Sequence, residues 1–191
     1  MPPISKELRQ EVRARREPPV LLAGKLVPGS VAFLREMLTK TTNEFERDDL
    51  LGEIAGEYLR AELEDDHLLV QRERLRNHPE AAVKWLGLAD ALSSRADGAN
   101  EAKQAAARGV EISRSVGTLI RYALTCQAQV ARKTSDASLF EQAMIELIQD
   151  APNEREEDCA LFESLIVDLP AGFCAPHIVQ SYKQALEDRG T

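Results

Sequence analysis

Leu51, Trp85 and Leu119 recur at a fixed interval of 34 residues, and that recurrence limits the possible folds more than any other feature of the chain. Three residues after each come Ile54, Leu88 and Tyr122. Four after come Ala55, Ala89 and Ala123, and seven after come Tyr58, Leu92 and Cys126. Offsets of three, four and seven share one face of an α-helix. A small side chain at the fourth offset lets a second helix approach closely. The interval continues into a second set of helices, where Ala106 and Phe140 align and are followed by Gly109 and Ala143. Leu75 takes the corresponding place in the first pair.

The rest of the chain also reads as helix, since β-branched runs are short and no segment alternates apolar and polar residues as a half-buried strand does. A polar helix over 5–16 ends before Pro18 and Pro19, and residues 18–30 form an irregular apolar connector. Ser30 is expected to cap a helix over 31–40, and Asn43 with Glu46 forms a capping box that opens a helix to about Leu63. Asp65 or Asp66 starts the next helix, which runs to Arg76. Asn77 with Glu80 opens another, to about Ser94. Asp97, Gly98 and Asn100 mark a loop before a helix to about Arg114, and Ser115 caps the one that ends near Lys133. Ser135 starts a further helix before Pro152, Asn153 with Glu156 introduces one through Cys159 to Asp168, and a last helix follows Pro176 to Glu187. The expectation is about ten helices and no strand.

Trp85-Leu86-Gly87-Leu88 gives a Trp-x-x-Leu start, and Pro79 stands where a repeat would close. On these residues the segment 43–152 resembles the tetratricopeptide repeat family. The resemblance implies an all-α, right-handed solenoid of about three antiparallel helix pairs with extra helices at both ends. One domain over 1–191 would comprise a basic amino-terminal segment and helices (1–42), three helix-hairpin repeats (43–152) and carboxy-terminal helices (153–191). The chain departs from the family in having Trp in one unit only, Ala at the usual Gly position, and inter-helix turns one residue longer.

In such a solenoid the first helix of each pair lines a concave surface. The resemblance places there Asp49, Gly56, Leu59 and Arg60, then Leu86, Asp90 and Ser93, then Ile120, Leu124 and Gln127. Leu59, Leu86, Ile120 and Leu124 are too apolar to be left bare. Either the terminal helices fill the groove as core, or an amphipathic helix or extended peptide of a partner docks there. The family's basic clamp for a peptide carboxylate is not reproduced, because the aligned places hold Asp49 and Asp90.

Charge is distributed unevenly. The net charge of −8 divides into +4 over residues 1–40, −7 over 41–80, zero over 81–150 and −5 over 151–191. Such a basic head and acidic body fold onto each other, leave the body to attract a basic partner, or are simply solvated helix faces that keep the chain soluble. An acidic surface disfavours nucleic acid, and only Lys6, Arg9, Arg13, Arg15 and Arg16 stand ready for phosphate, without an aromatic residue for base stacking. A composition of 43% hydrophobic and 29% charged residues is that of a folded soluble chain, and no apolar run reaches the roughly 20 residues of a membrane span. With no secretory signal and three cysteines lacking Cys-x-x-Cys spacing, the expected setting is the cytoplasm.

No phosphate loop, Gly-x-Ser-x-Gly elbow or His-Glu-x-x-His pair is present. The turn from Glu62 through Glu64, Asp65, Asp66 and His67 holds metal-ligand residue types, but its second histidine, His78, lies eleven residues beyond His67, so it reads as a solvated helix start. Cys174 and His177 imitate a nucleophile pair without a third orienting group. No catalytic, cofactor or metal residue is assigned. The expected function is binding of another protein, as an adaptor, chaperone or immunity-type inhibitor; the alternatives are a structural homo-oligomer and a metal-dependent hydrolase.

Overall fold

The structure, a computed structural model, describes residues 5–149 and 164–187. The chain divides into two compact units, Met1–His78 and Pro79–Thr191. Nine α-helices and two short strands are present among the described residues, so the expectation of a mainly helical protein holds. No helix among them is long and apolar enough to cross a membrane.

The first unit contains α1 (Lys6–Ala14), β1 (Val20–Leu22), β2 (Lys25–Val27), α2 (Gly29–Lys40), α3 (Glu44–Arg60) and α4 (Glu64–Asn77). The start of α3 is the one that Asn43 predicts, since its Oδ1 accepts from the amides of Phe45 and Glu46 at 3.0 and 3.4 Å. The end of α2 is tied down by Arg47 of α3, which donates to the carbonyls of Leu38 and Thr41 at 2.8 and 3.1 Å. Those are carbonyls that a helix end leaves without an intrahelical donor. Val12, Val27, Val31, Leu34, Ile54, Tyr58 and Val70 build one core from α1, β2, α2, α3 and α4.

Three expectations for this unit need correction. Asn77 does not open a helix but is the last residue of α4. The connector over 18–30 is not irregular, because β1 and β2 pair antiparallel with Leu21 opposite Leu26, around a two-residue turn in which Ala23 and Gly24 have φ of 49° and 83°. Both turn residues with positive φ match the twist of a tight hairpin. Nor does Ser30 cap α2. That helix starts two residues earlier than expected, at Gly29, and the Ser30 hydroxyl is buried and bonded to Glu57 of α3.

The second unit contains α5 (Ala82–Ser93), α6 (Ala99–Val116), α7 (Ile120–Lys133), α8 (Ala137–Gln149) and α9 (Pro176–Glu187). Helix α6 packs on α5 and α7, α8 packs on α7, α5 also touches α7, and α9 lies on α8. Leu86, Leu124, Phe140, Met144, Leu165, Ile178 and Tyr182 share a core, with Phe173 set edge-on to Phe140 at 5.4 Å. The expected helix introduced by Asn153 and Glu156 lies mostly outside the described residues. Ser115 and Ser135 are not caps. Helix α6 runs on to Val116 and stops at Gly117 with φ of 71°, and α8 is capped by Asp136, whose Oδ1 accepts the Leu139 amide at 3.1 Å.

The 34-residue interval is kept by its small residues and lost at its first position. Ala55, Ala89 and Ala123 are all buried, whereas Leu51 is buried, Trp85 is half-buried with its indole N–H on the Pro79 carbonyl at 2.8 Å, and Leu119 is 54% exposed just ahead of α7. Small residues persist because they set how closely helices approach. Gly109 is the extreme case, as a Cβ there would lie 2.5 Å from Leu86 Cδ2.

Candidate functional site

Glu57 lies three residues after Ile54 and seven after Leu50, which puts a carboxylate on the buried face of α3. It is 1% exposed. A buried carboxylate persists only where donors replace water, and here three residues supply them. Arg16, just past α1, donates from Nε to Oε2 and from Nη2 to Oε1, both at 2.9 Å. Ser30 Oγ donates to Oε2 at 2.7 Å, and Arg60, one turn along α3, donates from Nε at 3.1 Å and also from Nη2. Burial alone would push the Glu57 carboxyl up, but the hydrogen bonds from Arg16, Ser30 and Arg60 together hold it below its ordinary value.

Two more ion pairs join the same segments, Arg9 to Glu53 at 3.4 Å and Lys25 to Asp66 at 2.8 Å. Of the readings that the charge distribution left open, the pairs of Arg9, Arg16 and Lys25 show the basic head folding onto the acidic stretch that follows it. The amide of Gly29 bonds the Arg16 carbonyl at 3.3 Å, which fixes the backbone from which that guanidinium reaches Glu57.

Two clefts flank this cluster. The larger, about 340 Å³, has apolar walls from Pro19, Leu26, Val27, Pro28 and Leu63 and a polar side from Arg16, Glu17, Glu57 and Arg60. The smaller, about 240 Å³, is lined by Arg9, Val12, Arg13, Arg16, Glu53, Glu57 and Arg60. Next to the larger cleft the hairpin presents Leu21 and Leu26, which are 74% and 63% exposed.

The residues expected to line a groove are dispersed. In the first unit Asp49 and Leu59 are exposed, and Arg60 is held by Glu57. In the second, Leu86 and Leu124 are interior and belong to the same core cluster as Ile178 and Tyr182 of α9, which packs on α8, and Ile120 packs against that cluster. The Ser93 hydroxyl bonds the Asp90 carbonyl at 2.7 Å, and the Asp90 carboxylate takes Lys133 at 2.7 Å. Gln127 lines a separate cleft of about 210 Å³ with Glu111, Arg114, Gln142 and Glu146. From the sequence alone, Glu57 and Leu26 have no assigned role, and Ser30 reads as a helix cap. The signal for Glu57 was an acidic residue on an otherwise apolar helix face.

The residues weighed for chemistry are engaged elsewhere. His67 is buried, and its Nδ1–H donates to the Ala55 carbonyl at 2.8 Å. Among the described residues no three His, Cys, Asp or Glu side chains form a metal-ligand group. Burial, with Glu141 nearby, pushes the Cys174 thiol up, and the thiol donates to the Ala175 carbonyl, while His177 is exposed. Cys126 is pushed up to about 11 by burial, with the nearby Asp90 adding to the rise, and its neighbour Tyr122 is pushed up to about 12, also by burial first. The thiolate is the reactive species. Iodoacetamide should therefore modify Cys126 far more slowly than free cysteine at neutral pH, with the rate climbing only toward pH 11; peptide mass spectrometry at matched times measures this, and a rate equal to free cysteine contradicts it.

No family model matches the chain, and no curated protein matches it.

Proposed function

We propose that this chain is a protein-binding module, and that its docking surface is the apolar cleft of the first unit. The observation that carries the reading is the pair Leu21 and Leu26, cross-strand neighbours left 74% and 63% exposed, with Leu26 forming a wall of the cleft. Exposed apolar side chains beside a concave, partly apolar surface are the usual mark of a contact site. Arg16 and Arg60 also line the cleft. The occupant that fits is a partner segment carrying an apolar anchor next to a carboxylate.

In the same reading the helical pairs are tetratricopeptide-like hairpins of a right-handed solenoid, an arrangement supported by the packing of α5 to α8 in sequence and by the buried small residues at the repeat interval. The module works in the cytoplasm, a setting consistent with the free thiols of Cys126 and Cys174. Adaptor, chaperone and immunity-type inhibitor roles all use such a surface.

Leu21→Asp combined with Leu26→Asp should leave the circular dichroism spectrum and melting temperature nearly unchanged, because both side chains already face water. The same variant should abolish cross-linking of a partner by a photoreactive group placed at Pro19. Unchanged cross-linking refutes the reading. Light scattering separates the possible partners: a dimer dispersed by the double variant identifies a second copy of the chain.

A further inference from the structure

We infer that the smaller cleft of the first unit is a binding site for a phosphoryl dianion, a role that goes beyond the protein-binding reading and does not rest on it. Four guanidiniums, those of Arg9, Arg13, Arg16 and Arg60, line it with two carboxylates, Glu53 and Glu57. Two positive charges are therefore left over, which is the charge that a phosphomonoester dianion neutralises. Arginine's planar fork matches phosphate geometry and holds it through paired hydrogen bonds.

The arginines also retain donors. Arg16 and Arg60 each commit Nε and Nη2 to Glu57, and Arg9 commits Nε to Glu53. Among the described residues no acceptor is bonded to Arg16 Nη1, to Arg60 Nη1 or to any part of the Arg13 guanidinium. The neighbouring Arg15 differs, since it pairs with Glu11 at 2.7 Å and stacks over the Phe33 ring at 4.3 Å, and it does not line the cleft. Glu57 is nearly sealed from solvent, so it sets the pose of two arginines while exposing little negative charge to an incoming anion. The cleft is thus a partly preorganised cationic cup with one lining cation, Arg13, not paired with any described carboxylate.

Isothermal titration of the full chain with inorganic phosphate, phosphoserine and acetate, at matched chloride ionic strength, tests the inference. Phosphate or phosphoserine should bind at least about tenfold more tightly than acetate, because the monoanion leaves one charge uncompensated and offers fewer acceptors. Arg13→Gln should weaken that binding about tenfold without a change in melting temperature, since Arg13 holds no part of the fold together, and Arg13→Lys should fall between the two. Tighter binding of phosphoserine indicates a phosphorylated side chain as the source, and tighter binding of inorganic phosphate indicates a small phosphate compound. Equal affinity for acetate, or an Arg13→Gln variant indistinguishable from the parent, overturns the inference.

Discussion

Glu57→Ala should lower the stability of the first unit by about 3 kcal/mol, the low end for breaking a buried ion pair. The low end applies because Arg16 and Arg60 are 38% and 49% exposed and recover hydration once released. Ser30 does not recover it, as it is fully buried and would lose its Glu57 acceptor. For a unit of this size the loss corresponds to a fall in melting temperature of roughly 15 °C, read by hydrogen exchange at the amides of Val12, Val27 and Ile54. Glu57→Gln keeps an acceptor for Ser30 and should cost about half as much, because it removes only the charge-assisted part of the bonding. If both variants melt within a degree or two of the parent, Glu57 is not the fastening point.

The same carboxylate makes stability depend on pH with a definite sign. Its value in the folded chain lies below that of the unfolded chain, so its contribution is fully present above the unfolded value of about 4.3 and is lost as pH falls through the folded value. The stability gap between the parent and Glu57→Gln should therefore be constant near neutrality and close progressively below about pH 4.

Gly109→Val should be similarly damaging to the second unit. A Cβ at position 109 would lie 2.5 Å from Leu86 Cδ2 and 2.8 Å from Leu86 Cγ, and Leu86 is buried in the core with little room to turn away. Overpacking of this kind costs about 1–3 kcal/mol, and the two further methyls of valine place the change at the upper end. Gly109→Ala should cost less, since alanine regains about 1 kcal/mol of helix propensity. Leu86→Ala alone costs about 2–5 kcal/mol through the cavity it leaves. Combined with Gly109→Ala it should cost less than the sum, because the new methyl occupies part of the vacated space. Trp85 is the only tryptophan and lies next to Leu86 in sequence, so its fluorescence reports unfolding in this unit. Strict additivity would mean that α5 and α6 separate to accept the methyl.

What was legible in the sequence follows from the strength of the local signals. Asn43 announces α3 because its side chain needs only its own backbone neighbours, and the small residues mark helix contacts, Ala55, Ala89 and Ala123 being buried and Gly109 leaving no room for a Cβ beside Leu86. The hairpin was hidden because strands of three residues are too short to show alternation, and Ala-Gly is a weaker turn signal than Asn-Gly. Ser30 read as a cap because a serine ahead of an apolar stretch usually is one; its true acceptor stands 27 positions away. The candidate site followed the same rule. The charge distribution showed that the head and the acidic stretch had complementary signs, but which arginine meets which glutamate depends on how α1, α2 and α3 pack. The groove read from Leu86 and Leu124 could not be told from core by spacing alone, and both side chains are buried in the core of the second unit.

The claim that most needs testing is that Glu57 fastens the basic head to the acidic segment and so shapes both clefts. A double-mutant cycle on Arg16→Gln and Glu57→Gln, with unfolding free energies measured in urea, addresses it directly. The structure predicts a coupling of about 1.5 kcal/mol or more, as for hydrogen bonds between charged groups. Costs that simply add, within about 0.5 kcal/mol, would show that the two residues do not act together and would contradict the account.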